Sequence, residues 1–136
     1  MKIEPGYSIP PWDMPSVLAE RMRTMAAILR DPYPVHWDRG VVEKMGLGRR
    51  TINQGPLGLS YMVNMLHEWM GCGCIKRLRM TFLLYVFEGD HVVARGRVNA
   101  IREENGERLA DCDIWLDRIN GEDRPLEGSA TVLLNE

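Results

Sequence analysis

The chain has 136 residues, 45% of them hydrophobic and 26% charged, which suffices for one hydrophobic core and excludes a disordered or fibrous chain. Its formal net charge of −2 gives no global attraction to nucleic acid or to an anionic membrane surface. Cys72, Cys74 and Cys112 are odd in number and too few for a disulfide framework, so a reducing, cytoplasmic setting is expected.

In chain order, Met1-Lys-Ile-Glu-Pro-Gly6 contains no apolar run, so neither a signal peptide nor a membrane span is expected there. Gly6 to Trp12 is rich in turn residues and reads as a surface crossing. Pro15 and Ser16 can start a helix, in which Val17, Leu18, Met22, Met25, Ala26 and Leu29 recur at helical spacing. Pro32 and Pro34 stop it near Asp31 and make Asp31-Pro-Tyr-Pro-Val-His36 a stiff loop. Asp38 can cap a short helix through Met45, which Gly46 and Gly48 end. Pro56 suits the first turn of a longer helix, where Leu57, Leu59, Met62, Val63, Leu66, Trp69 and Met70 leave little polar face. That helix should be buried on most sides and end at Gly71. Cys72-Gly-Cys74 lacks the usual zinc-pair spacing and no second pair follows, so these read as two small thiols and no metal is expected.

Beyond residue 74 the period changes to that of strands. Leu78 to Val86, His91 to Ile101, Leu109 to Ile119 and Ser129 to Leu134 are the expected strands. Glu104-Asn-Gly-Glu107 is the clearest hairpin signal between them. No repeat or linker divides the chain, so residues 1–136 are expected to form a single α+β domain. One antiparallel sheet wrapped around the buried helix satisfies the pattern, because the helix needs cover on most sides and each strand offers one apolar face.

Asp31 and His36 are the candidate chemical pair. A carboxylate and an imidazole on one stiff loop can hold a water between them, with histidine, whose pKa is about 6.5 when unperturbed, as general base. The same spacing also fits an Asp that ends the helix and a His that packs beside Trp37. Gly55 stands where the long helix begins. The free amides there can polarise a carbonyl, and a glycine lets a ligand approach; an ordinary helix-opening glycine before proline looks the same. Basic clusters at Arg49-Arg50, Lys76-Arg77-x-Arg79 and Arg95-x-Arg97 fit either ligand phosphates or solvated strand faces.

Four blocks together resemble the MaoC-like dehydratases and (R)-specific enoyl-CoA hydratases. They are Asp31-Pro-Tyr-Pro-Val-His36-Trp-Asp38, then Ile52-Asn-Gln-Gly55-Pro-Leu-Gly-Leu, then Met80-Thr-Phe82 through Tyr85-Val-Phe-Glu-Gly89-Asp90, and Gly128-Ser-Ala130-Thr-Val132. The resemblance runs from Gly6 to Leu134 and implies a hotdog fold. It also implies addition of water to a trans-2-enoyl thioester, or the reverse, through an (R)-3-hydroxyacyl product. Asp31 and His36 would activate the water and the Gly55 amide would polarise the thioester carbonyl. Coenzyme A, as part of the substrate, or an acyl carrier protein would carry the acyl group, and no separate cofactor is implied. Tyr33, Trp37 and Gln54 would line the substrate, with Arg49, Arg50, Arg77 and Arg79 as candidates for its phosphates. A second hotdog chain, identical or different, would complete a dimer; no nucleic acid or membrane partner is implied. The family's Asn two residues after the Asp is Tyr33 here, and its His before the helix glycine is Gln54. Two other activities suit the same fold: an acyl thioesterase, and a non-catalytic partner subunit of a heteromeric hydratase.

Overall fold

The computed structural model of the chain describes residues 2–135; Met1 and Glu136, the ends of the expected domain, lie outside the described residues. Its elements are β1 (Ser8–Met14), α1 (Ala19–Leu29), a 3-10 turn (Pro34–His36), α2 (Arg39–Lys44), α3 (Gly55–Met70), β2 (Ile75–Phe82), β3 (Val92–Glu104), β4 (Glu107–Arg118) and β5 (Asp123–Leu133). The strands form one five-stranded sheet in the order β1-β3-β4-β5-β2, antiparallel at every pairing. Helix α3 lies against its concave, apolar face: Met62, Met65 and Leu66 pack with Ala94, Val98, Cys112, Ile114, Leu116 and Val132 in one core. This is the hotdog arrangement, a single sheet around one helix. Among the described residues no helix is long and apolar enough to cross a membrane.

The order of the strands follows from their turns. Asn105 and Gly106 both take positive φ, 51° and 78°, so β3 and β4 close as a tight hairpin. Before that hairpin, the chain runs through α3 from edge strand β1 to β2, which pairs with β5 at the opposite edge of the sheet.

Four elements depart from the sequence pattern, each for a physical reason. The opening stretch does not cross the surface but forms β1, paired with β3 at the sheet edge. Pro10 and Pro11 fall at a register shift between Ile9 and Trp12, where an edge strand tolerates missing donors. Helix α1 starts at Ala19 rather than Pro15, because the Val17 backbone is engaged with the turn before β3. Val17 N–H donates to Asp90 O at 3.0 Å and Val17 O accepts Gly89 N–H at 2.8 Å. Strand β2 begins early and stops at Phe82, since both Leu83 and Leu84 turn their amides to Pro125 O. β5 begins at Asp123 rather than Ser129, and its first residues pair with the end of β4.

Gly128 sits where β5 faces β2. A Cβ there would lie 1.9 Å from the Arg79 carbonyl oxygen, a backbone atom that cannot swing away. Gly128→Ala should therefore separate β2 from β5 and destabilise the domain by roughly 1–3 kcal/mol. Thermal melts and amide exchange along residues 75–82 measure it; unchanged protection there would refute the close-approach argument.

Candidate active site

The stiff loop is held at both ends. Arg30 ends α1 in the left-handed region, and Asp31 N–H donates to Ala26 O at 2.9 Å. Asp31 Oδ1 then accepts Tyr33 N–H at 3.1 Å, while Trp37 Nε1 donates back to Pro32 O at 3.1 Å. The 3-10 turn follows, and Asp38 caps α2 by accepting Gly40 N–H and Val41 N–H, as its position in the sequence leads one to expect.

This fold of the loop brings His36 Nε2 to 3.5 Å from Asp31 Oδ2. His36 is 9% exposed, and its Nδ1 lies 2.7 Å from the Ile52 carbonyl oxygen. A carbonyl can only accept, so Nδ1 carries a proton and Nε2 of the neutral ring holds a lone pair. Asp31 Oδ2 stands just beyond an ideal hydrogen bond from that nitrogen, a spacing at which one small donor such as water can reach both.

His36, but not Asp31, lines a pocket of about 280 Å³ together with Tyr33, Val35, Ile52, Asn53, Gln54, Phe82, Leu84, Tyr85, Val86 and Leu126. The start of α3 contributes Gly55 and Gly58 to the lining. As the first residue of α3, Gly55 has an amide without an intrahelical acceptor, and Pro56 after it has no amide hydrogen. The Phe82 ring would stand 3.1 Å from a Cβ at Gly55, so a side chain there would close this end of the pocket. Tyr33 is half exposed and meets the His36 ring edge-on, centroids 5.9 Å apart. Gln54 is buried, and its Nε2 donates to Met22 O at 2.7 Å, fixing α1 to the start of α3. Its Oε1, like Asn53 Oδ1, is buried without a hydrogen-bond partner.

The other candidates are dispersed. Arg49 pairs with Glu43 at 3.4 Å and is largely exposed. Arg50 donates to Asp90 Oδ1 at 2.8 Å and lies over the Phe87 ring. Arg77 and Arg79 lie on the exposed side of β2, Arg77 near Lys76 and Arg102 and Arg79 near Asp113 and Arg124. None of these four, nor Trp37, lines the pocket bordered by His36. Reading the sequence alone did not single out Ile52, Asn53, Leu126 or the run Phe82 to Tyr85 as site residues. For Ile52 no signal exists, because its contribution is a backbone oxygen. No group of three or more His, Cys, Asp or Glu among the described residues is placed to hold a metal ion.

Two carboxylates on the turn between β2 and β3 brace the site from behind. Arg39 grips Glu88 with two bonds of 2.7 Å and, against the opposing effect of burial and with help from the Thr51 amide, holds the Glu88 carboxyl down at about 2. Asp90 is fully buried. Burial alone would raise its pKa, but bonds from Phe87 N–H, Arg118, Arg50 and Asn120 together bring it below the usual carboxylate value. A carboxyl whose folded pKa is depressed adds stability above its unfolded pKa and loses it as pH falls through the folded one. The Glu88 contribution should be complete above about 4.5 and vanish toward about 2. Melts of wild type and Glu88→Gln should therefore converge as pH falls through that window; a constant gap would contradict the assignment.

An Asp–His pair whose imidazole lines an apolar pocket shared with a helix N-terminus, in a sheet wrapped round that helix, is the arrangement of a hotdog domain of the hydratase/dehydratase class. The MaoC like domain family model matches residues 11–111, most of the chain, and the protein belongs to this family. Among solved structures, the (R)-hydratase from A. caviae involved in PHA biosynthesis is 26% identical, with a TM-score of 0.86 and 98% of each chain covered. The R-hydratase PhaJ1 from Pseudomonas aeruginosa, 18% identical, superposes with a TM-score of 0.82 over 98% of this chain and 83% of its own. The ChsH1-ChsH2 complex from Mycobacterium tuberculosis contributes a chain 15% identical, with a TM-score of 0.82 over 99% of this chain and 100% of that one. The last two likenesses speak for the fold alone. No curated protein sequence matches the chain.

Proposed function

We propose that the protein adds water to a trans-2-enoyl thioester to give an (R)-3-hydroxyacyl thioester, or runs the reverse dehydration. The observation that carries this reading is the 3.5 Å approach of His36 Nε2 to Asp31 Oδ2 beside the opening of α3. In the hydration direction Nε2 takes one proton of the held water as its oxygen bonds to the β-carbon. The electron pair of the double bond moves toward the thioester oxygen, where the Gly55 N–H stabilises the developing enolate. The α-carbon then takes that same proton back from His36 Nε2, which returns the ring to its neutral form, while Asp31 orients the water throughout. The thioester survives, and no redox or metal step is needed. The apolar walls suit an acyl chain, and coenzyme A is the proposed carrier, with an acyl carrier protein as the other choice.

The domain works as one half of a pair with a second hotdog chain, a copy of itself or a different one. Support comes from Phe82, Leu83, Leu84 and Tyr85, each about half exposed beside the pocket at the end of edge strand β2. The cysteines, all free thiols, suit the cytoplasm. A purely structural partner subunit has no physical need of the Asp31–His36 pair, and a thioesterase would consume the thioester. Incubating the purified chain with crotonyl-CoA separates the three. Loss of enoyl absorbance without release of free thiol is expected. Thiol release would assign a thioesterase, and an inert chain would assign the partner-subunit role.

A further inference from the structure

The tautomer of His36 depends on the Ile52 carbonyl, so whatever fixes that carbonyl sets which nitrogen faces Asp31. Residues 51–53 form a short strip outside the named strands, held from two sides. On one side Ile52 N–H donates to Val35 O at 2.8 Å, next to the bond from His36 Nδ1 to Ile52 O. On the other, Ile52 bridges antiparallel to Phe87, Asn53 N–H donates to Val86 O, and Glu88 N–H donates to Thr51 O. Glu88 adds a bond that backbone pairing does not supply: its Oε1 accepts Thr51 N–H at 2.9 Å. The same carboxylate holds Arg39, the first residue of α2 and three residues beyond His36. Thr51 is one residue from the acceptor of the His36 bond, and Arg39 shortly follows its donor.

We propose that Glu88 is a positioning residue: by gripping Thr51 N–H and Arg39 together it holds the His36 ring on the Ile52 carbonyl and keeps Nε2 unprotonated toward Asp31. Glu88 stands in no position to touch a substrate and acts only through the strip and α2. Its carboxylate must stay charged to hold the guanidinium, which agrees with its depressed pKa. This rests on the hydratase reading only for its effect on rate; the tautomer itself can be measured without substrate.

The test is 15N NMR of the histidine side chains with Glu88→Gln, Arg39→Met and the control Glu107→Gln, which breaks an exposed ion pair with Lys76. In wild type and the control, the signals lost in His36→Ala should report the Nδ1–H form wherever the ring is neutral. In Glu88→Gln, which keeps shape but loses charge, they should report a mixture of tautomers, and kcat for crotonyl-CoA should fall roughly tenfold or more with KM little changed. Glu88→Asp should restore part of both. Arg39 is exposed enough that Arg39→Met folds if Glu88→Gln does not, and the tautomer should shift in the same direction there. A pure Nδ1–H form retained in folded Glu88→Gln or Arg39→Met overturns the proposal. A tautomer shift in a protein whose wild type hydrates no enoyl thioester upholds the positioning role and overturns the hydratase reading instead.

Discussion

His36→Ala and Asp31→Asn should each lower kcat for an enoyl thioester by about 10²–10⁴-fold, the range general acid–base groups contribute, while KM changes little. The loss falls on kcat because proton transfer is made in the transition state and not in substrate binding. Asp31→Asn is the sharper of the two. Its carbonyl can still accept the Tyr33 amide, so the loop keeps its shape, yet the charge facing His36 is gone. The double variant should be little worse than the worse single one, since both residues act on one water. Melting curves accompany the kinetics, so that only folded variants are compared. Folded single variants within about threefold of wild type, far under the 10² floor for such groups, would end the acid–base assignment.

Asp90→Ala should be the most destabilising of the substitutions considered. The carboxylate is fully buried and accepts from Phe87 N–H at 2.9 Å, Arg118 Nη1 at 2.9 Å and Arg50 Nη1 at 2.8 Å. It thus joins the strip before α3, the turn before β3 and the end of β4. Removing it strands the Arg118 guanidinium, which is also largely buried, beside an empty site. Breaking one partner of a buried ion pair costs about 3–5 kcal/mol, more than the pair itself contributes over an apolar substitute. In a domain of this size that is a fall in melting temperature on the order of 10 °C. Arg118 retains Asp123 in the variant, at 2.8 Å, which sets the loss toward the lower end of the range. A melting point within about 3 °C of wild type would mean that water replaces the carboxylate at little cost.

Local chemistry made much of this fold legible in the sequence. The long helix is marked by Pro56 at its first turn and by apolar residues on most sides, and it forms at Gly55–Met70. Asp38 caps α2, and Asn105-Gly106 turns β3 into β4. Where prolines broke the pattern the reading failed: Pro10 and Pro11 hid an edge strand, because only the finished sheet shows that their missing donors face no partner. Leu84 continued the alternation of β2, yet the backbone there turns to Pro125 instead.

The candidate site was legible as far as it rests on side chains close in sequence. Asp31 and His36 come together because two prolines leave their loop few ways to run. The Ile52 carbonyl and the Glu88–Arg39 clamp were not legible, since one is backbone and the other joins residues 49 apart. The four arginines cluster in sequence, but Arg50 turns to a buried aspartate while Arg77 and Arg79 project from an edge strand. Strand alternation and tertiary pairing, not sequence proximity, decide where such charges end.

The most direct measurement of the central claim is the product the wild-type protein makes from 13C-labelled crotonyl-CoA, followed by NMR with the configuration at the new carbinol carbon assigned. The account predicts 3-hydroxybutyryl-CoA of (R) configuration with its thioester intact, formed at a rate that collapses in Asp31→Asn. Free crotonate, the (S) product, or unchanged substrate would contradict it.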